Sequence, residues 1–206
     1  MHQTESLRRC LVAIALAMAL LAWPAAGDAQ LASTVVGDAS AARVSVLGIL
    51  GTATTTALAD TGTLSGVNDS RDASMATGSM PSALNAETLS AATISWADQV
   101  DSFASLANLN TTVAGIGITA DSVLAQASQV LGGAGSGSST LSNLSINGIP
   151  IDVTGAPNQT IWVPGGQVII NEQSVSSNGT AVVNALHVTI TGVADVVIGS
   201  ATAGIS

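Results

Sequence analysis

An all-β protein, an antiparallel β-sandwich of short strands joined by hairpins, is the fold this sequence predicts, on three observations. The first is the stretch 139–205, where apolar runs are separated by Asn147-Gly148, Pro164-Gly165-Gly166 and Asn178-Gly179. Asn-Gly supplies the two positive-φ residues of a type I′ turn, whose twist suits the flanking strands, so each pair marks a hairpin tip. The second is composition: 47% hydrophobic but only 8% charged residues, against about 25% charged in ordinary domains. Large buried faces with a neutral, hydroxyl-rich outside fit that balance, and disorder does not. The third is an aromatic content of 2%, which leaves Val, Ile, Leu and Ala to build the core. A β-solenoid or a barrel-like roll is the alternative, but no fixed repeat period supports a solenoid.

Residues 1–29 read as a secretory signal peptide: Arg8 and Arg9, an apolar core over 11–23, and a small-residue region over 24–29. About 13 apolar residues fall short of the roughly 20 a bilayer-spanning helix needs. Cys10, the single cysteine, precedes the apolar core, so it is not placed for lipid anchoring, and cleavage after Ala29 leaves a thiol-free protein without disulfides. The remainder, 30–206, is expected to be a single all-β domain, for which its length suffices.

Taken in order, 30–42 reads as a small-residue lead, 43–50 as a first strand and 52–59 as a second. Between 60 and 81 Gly, Ser, Asn and Asp cluster without a period, the mark of an exposed connection or a hairpin pair. Alternation returns over 88–96, 100–109 and 113–120. Residues 121–131 fit either one face of a helix, capped by Asp121 and ended by Gly132, or a strand; the neighbouring strands favour the latter. The glycine-rich run 132–139 reads as a flexible link. Further strands are expected over 140–146, 149–153, 160–163, 167–175, 181–191 and 194–202.

The sequence has no lysine and a formal net charge of -9, unchanged over 30–206, where two arginines face eleven carboxylates. Such a chain repels nucleic-acid phosphates and anionic lipid. The glycine run is no phosphate cradle, since no Gly-Lys-Ser/Thr follows it. Zinc is disfavoured with one histidine and no cysteine in 30–206, and no cofactor is implied. The five Asn-X-Ser/Thr sequons are what chance gives in so Ser/Thr-rich a chain.

Asn171-Glu172-Gln173, then Val183-Asn184-Ala185-Leu186-His187-Val188, then Asp195-Val196-Val197-Ile198-Gly199-Ser200-Ala201 resemble the closing pattern of the choice-of-anchor P family of secreted bacterial proteins. Earlier pieces match in order: Val44-Ser-Val-Leu-Gly48, Ala104-Ser-Leu-Ala-Asn108, Ile118-Thr-Ala-Asp121 and Ser138-Ser-Thr-Leu141. The resemblance implies an exported protein of the bacterial surface or medium, and no reaction. The sequence ends at Ser206 without the anchoring signal for which that family is named, so release rather than tethering is expected.

His187 lies on a strand whose even positions are mostly apolar, with Val183, Ala185 and Thr189 expected on its own face. It reads either as a general base backed by Asp195 or Glu172 with a serine in front, or as a hydrogen-bonding residue that fixes strand geometry. The second is favoured, since no G-x-S-x-G elbow exists. Asn171, Glu172 and Gln173 form a polar break that could bind a ligand, or satisfy backbone groups at a strand end or bulge. With Asn184, His187 and Asp195 they complete the candidate ligand-binding set. Asn68, Asp69 and Asp72 offer oxygen ligands for calcium, but exposed loop charge is the plainer reading. Trp96 and Trp162 could stack on a sugar, but both are expected in the core. The expected function is that of an exported structural or interaction protein without catalysis. Its partner is unidentified, with self-association or an envelope polymer in view; the alternative is a carbohydrate- or calcium-binding module.

Overall fold

The computed structural model describes residues 34–47, 53–80 and 84–206, so the expected signal peptide lies outside the described residues. Ser33–Ser206 form one compact unit. The strands are β1 (Val35–Leu47), β2 (Ala53–Asp60), β3 (Ser70–Met80), β4 (Leu84–Ser95), β5 (Gln99–Val113), β6 (Ile116–Val130) and β7 (Ser136–Ser142). They continue with β8 (Ser145–Ile146), β9 (Ile149–Pro150), β10 (Gln159–Val163), β11 (Gly166–Val175), β12 (Ala181–Ile190) and β13 (Ala194–Ile205). No helix occurs among the described residues.

Two antiparallel sheets form, and they are not closed into a barrel. Sheet A runs β10-β11-β12-β13-β1-β2, and sheet B runs β3-β4-β5-β6-β8-β9, with β7 also paired to β6. The sheets stack face to face: β1 lies over β4 and β5, β13 over β5 and β6, β12 over β6 and β7, and β2 over β3 and β4. The interior is aliphatic, as the composition requires: Leu84, Leu89, Ile118, Ile170, Leu186 and Ile198 are almost wholly buried. Ser102 binds the sheets by donating its hydroxyl to Thr202 O at 2.6 Å. Gln129, 2% exposed, does so through two bonds, donating to Asn178 O and accepting from Ile205 N–H, while it also donates to Gly133 O in the turn after its own strand.

Several elements differ from the sequence reading. The small residues 35–42, expected as a lead, are the first part of β1, where Ala39, Ala41 and Ala42 are buried at zero exposure because the sheets approach closely there. Within 60–81, expected as an exposed connection or a hairpin pair, lies the eleven-residue strand β3, which pairs β4; as an edge strand its residues are mostly exposed, so no alternation marks it. Of the strand expected over 113–120, residues 116–120 open β6 and Val113 ends β5; Ala114 (φ 50°) and Gly115 (φ 85°) make a turn between the two long strands. Residues 121–130 continue β6 as strand. The run 132–139 is no flexible link: β7 begins inside it, and a methyl on Gly137 would collide with Val183 and the backbone of Gln126. Of 149–153 only Ile149–Pro150 is strand.

Asn147 (φ 52°) and Gly148 (φ 77°) make the expected two-residue turn. At the third signal only Gly179 takes positive φ; the tip is a longer loop closed by Ser176 N–H on Thr180 O.

One feature of sheet A governs the site. Asn171, Ala185, Gly199, Ala41 and Ala59 fall in a single line across five strands, at the position each pairing register skips. Asn171 (φ 53°), Gly199 (φ 66°) and Ala59 (φ 46°), on alternate strands, have left-handed backbone. The line is a crease that resets which residues face out. In a regular strand residues three apart point to opposite sides; in β12 both Ala185 and Leu186 are buried, and Asn184 and His187 share the outer face.

Candidate functional site

Glu172 stands beside Asn184 in the β11–β12 register, and His187 is three residues further along β12. Across the crease, His187 Nδ1 meets Glu172 Oε2 at 2.9 Å. Asp195 on β13 is diagonal to His187, and its Oδ2 lies 2.9 Å from Nε2. Thr189 Oγ1 is 3.3 Å from the same nitrogen. Asn184 Nδ2 donates to Glu172 Oε2 at 2.6 Å and its Oδ1 accepts from Ser200 at 2.8 Å. Glu172, Asn184, Ser200, Ser40 and Asp60 form one row of registers, and the relay stops at Ser40, whose buried hydroxyl has no partner among the described residues.

Two carboxylates on one imidazole favour its charged form. His187 is pushed up to about 9, first by the bond to Glu172, against the opposing effect of burial, and then by Asp195. Glu172 is lowered, chiefly by the same bond, with burial opposing and Asn184 helping. At neutral pH the group is therefore an imidazolium donating both N–H groups to carboxylates. Such a ring has no lone pair to take a serine's proton, and no serine hydroxyl bonds His187 among the described residues. The neighbours of His187 also differ from expectation: Thr189 shares its face, but Val183 and Ala185 are buried, because the crease inverts the alternation.

Asn171 and Gln173 serve a different purpose. Asn171, buried in the crease, donates its amide to Gly155 O and accepts from Gln173 Nε2. Asn158 N–H bonds Asn171 O, and Asn158 Oδ1 accepts from Gln173 N–H. These bonds lash the loop before β10 onto β11, so of the six predicted residues four form the ionic cluster and two a backbone brace. Ser200 and Thr189 also belong to the cluster; the sequence places Thr189 on the face of His187 but gives Ser200 no role, since hydroxyls are too common there to discriminate.

The second charged group on this face centres on Arg43, 3.4 Å from Asp38 and 3.5 Å from Asp60. Asp38 is raised, mainly by burial and then by Asp60. In the calcium candidate, Asp69 is held down to about 2, first by Ser65 N–H, then by the Ser65 hydroxyl and Arg71. Asp72 lies in β3 rather than a loop. No group of three or more His, Cys, Asp or Glu is arranged for a metal among the described residues.

Both expected core tryptophans are outside: Trp96 is 42% and Trp162 78% exposed. Trp162 sits on the edge strand β10, where Ile161 and Val163 face the core instead. Comparison of the chain with family models, with curated proteins and with solved structures returned no match.

Proposed function

We propose that this is an exported bacterial cell-envelope or extracellular protein that acts by structural association rather than catalysis. The observation that carries it is the side of the sandwich where, among the described residues, the edge strands β2 and β3 lie next to each other with no lysine or proline in either and only Asp60, Arg71 and Asp72 charged. Unpaired strand edges accept further strands, and natural proteins usually block them with such residues. The likeness of the sequence to choice-of-anchor P proteins and the signal-like residues 1–29 support export. The His187 cluster, saturated by its own carboxylates, acts as a brace on the face of sheet A.

The protein recovered from the medium or envelope is expected to begin at Gln30 and to sediment faster as concentration rises. Ser74→Lys with Thr77→Lys, two exposed positions of β3, is expected to leave a monomer. Retention in the cytoplasm with residues 1–29 attached, or a strict monomer at every concentration, defeats the reading. A second reading, a carbohydrate- or calcium-binding module, has one observation in favour of its carbohydrate half: the exposure of Trp162 and Trp96.

A further inference from the structure

The outer face of sheet B carries a trough of about 320 Å³ lined by Asp101, Phe103, Gln126, Ser128, Ser136 and Ser138. Two transverse rows build it: Phe103, Gln126 and Ser138 in one, Asp101, Ser128 and Ser136 in the next. Phe103 is the only phenylalanine of the chain, and 40% of it is exposed. Strand alternation turns Phe103 outward between the buried Ser102 and Ala104, so its ring is presented on the surface.

The polar groups around Phe103 are open. The Gln126 amide and the hydroxyls of Ser128, Ser136 and Ser138 form no side-chain hydrogen bond within the described residues. Asp101 is oriented: Gln99 Nε2 donates to both its oxygens, at 3.0 and 2.9 Å. The trough thus offers an apolar ring face, an amide that donates and accepts, a fixed carboxylate acceptor and three hydroxyls. Asp101 is its only ionisable lining group, and the whole chain carries -9.

We propose that this face binds a neutral oligosaccharide, one ring stacked on Phe103 with its hydroxyls bonded to Asp101 and Gln126. Sugars present an apolar C–H face beside vicinal hydroxyls, which matches a ring flanked by convergent polar groups. Strands lie about 4.8 Å apart, comparable to one sugar unit, so neighbouring strands meet successive units. The negative charge turns away acidic glycans and polyanions. A protein partner is a poorer fit, because a stable interface has an apolar centre that this face lacks. The site is distinct from the β2–β3 edge and stands or falls separately from self-association. It also places the sugar on a sheet face rather than at the hairpin loops.

Calorimetric titration with cellohexaose, chitohexaose and an acidic control, oligogalacturonate, tests it. Binding of at least one neutral sugar is expected. Phe103→Ala and Gln126→Ala should each weaken it by roughly tenfold or more at unchanged melting temperature, while Trp162→Ala and His187→Gln leave it intact. Binding of neither neutral sugar, preference for the acidic control, or binding that survives Phe103→Ala but is lost in Trp162→Ala overturns the proposal.

Discussion

The outer faces of the two sheets are both polar, yet they use polarity in opposite ways. On sheet A the carboxylates are matched to a cation: His187 bridges Glu172 and Asp195, and Arg43 lies between Asp38 and Asp60. On sheet B the groups around Phe103 are mostly unmatched, with only Asp101 tied to Gln99. Polar side chains that satisfy one another hold strands in place; those left open beside an exposed ring are free to satisfy a ligand. Charge alone does not separate the two cases, since the titratable residues that first draw the eye are the self-contained ones.

The largest effect that would sharpen this contrast is alkaline destabilisation through His187. Its value is about 9 in the fold and 6.5 ordinarily, so its contribution, roughly 3 kcal/mol, is full below pH 6.5 and is lost as pH rises through 9. Glu172, lowered in the fold, contributes above its ordinary value and loses that contribution as pH falls through its folded one. Denaturant melts across the pH range should show the alkaline limb, and His187→Gln should flatten it. An NMR titration of His187 with a midpoint near 6.5 would break the comparison.

A smaller effect is expected from Glu172→Gln, which removes the first cause of the His187 shift and weakens the Asn184 bond. We expect a loss of about 1–2 kcal/mol at pH 6, with the histidine midpoint falling toward its ordinary value; an unchanged midpoint would assign the shift to Asp195. The smallest belongs to sheet B. Ser138→Ala and Gln126→Ala break no internal side-chain bond, so each should change stability by less than about 0.5 kcal/mol. Loss of more than that in equilibrium unfolding would place these side chains in the structural class.

Much of the fold was legible because its signals are local. Asn147-Gly148 and Pro164-Gly165 announce turns by backbone preference alone, and the aliphatic strands around them alternate. Glu172, Asn184, His187 and Asp195 stand out in the sequence as rare polar residues among aliphatic strands, but whether they meet is open until the crease brings Asn184 and His187 to one face. What escaped was set by partners distant in sequence. The crease hides in residues such as Ala59 and Ala41 that read as ordinary strand. The strand β3 lacks alternation because it is an edge, and Gly137 lies in a tract that looks slack until Val183 closes over it. Trp162 lies outside because β10 turns Ile161 and Val163 inward, and side-chain size alone does not say which face of an edge strand a residue takes. Phe103 was readable in retrospect, since it alternates with Asp101 and Ser105 on a polar face.

The first strand, β1, is clasped between β2 and β13, with Thr34 and Ser206 exchanging backbone bonds. The middle of sheet A therefore stays incomplete until β13, remote from β1 along the chain, has been made. Contacts so remote along the backbone form slowly, so the strands made between β1 and β13 must wait, with sheet A incomplete, for a partner that the ribosome supplies long after β1 itself.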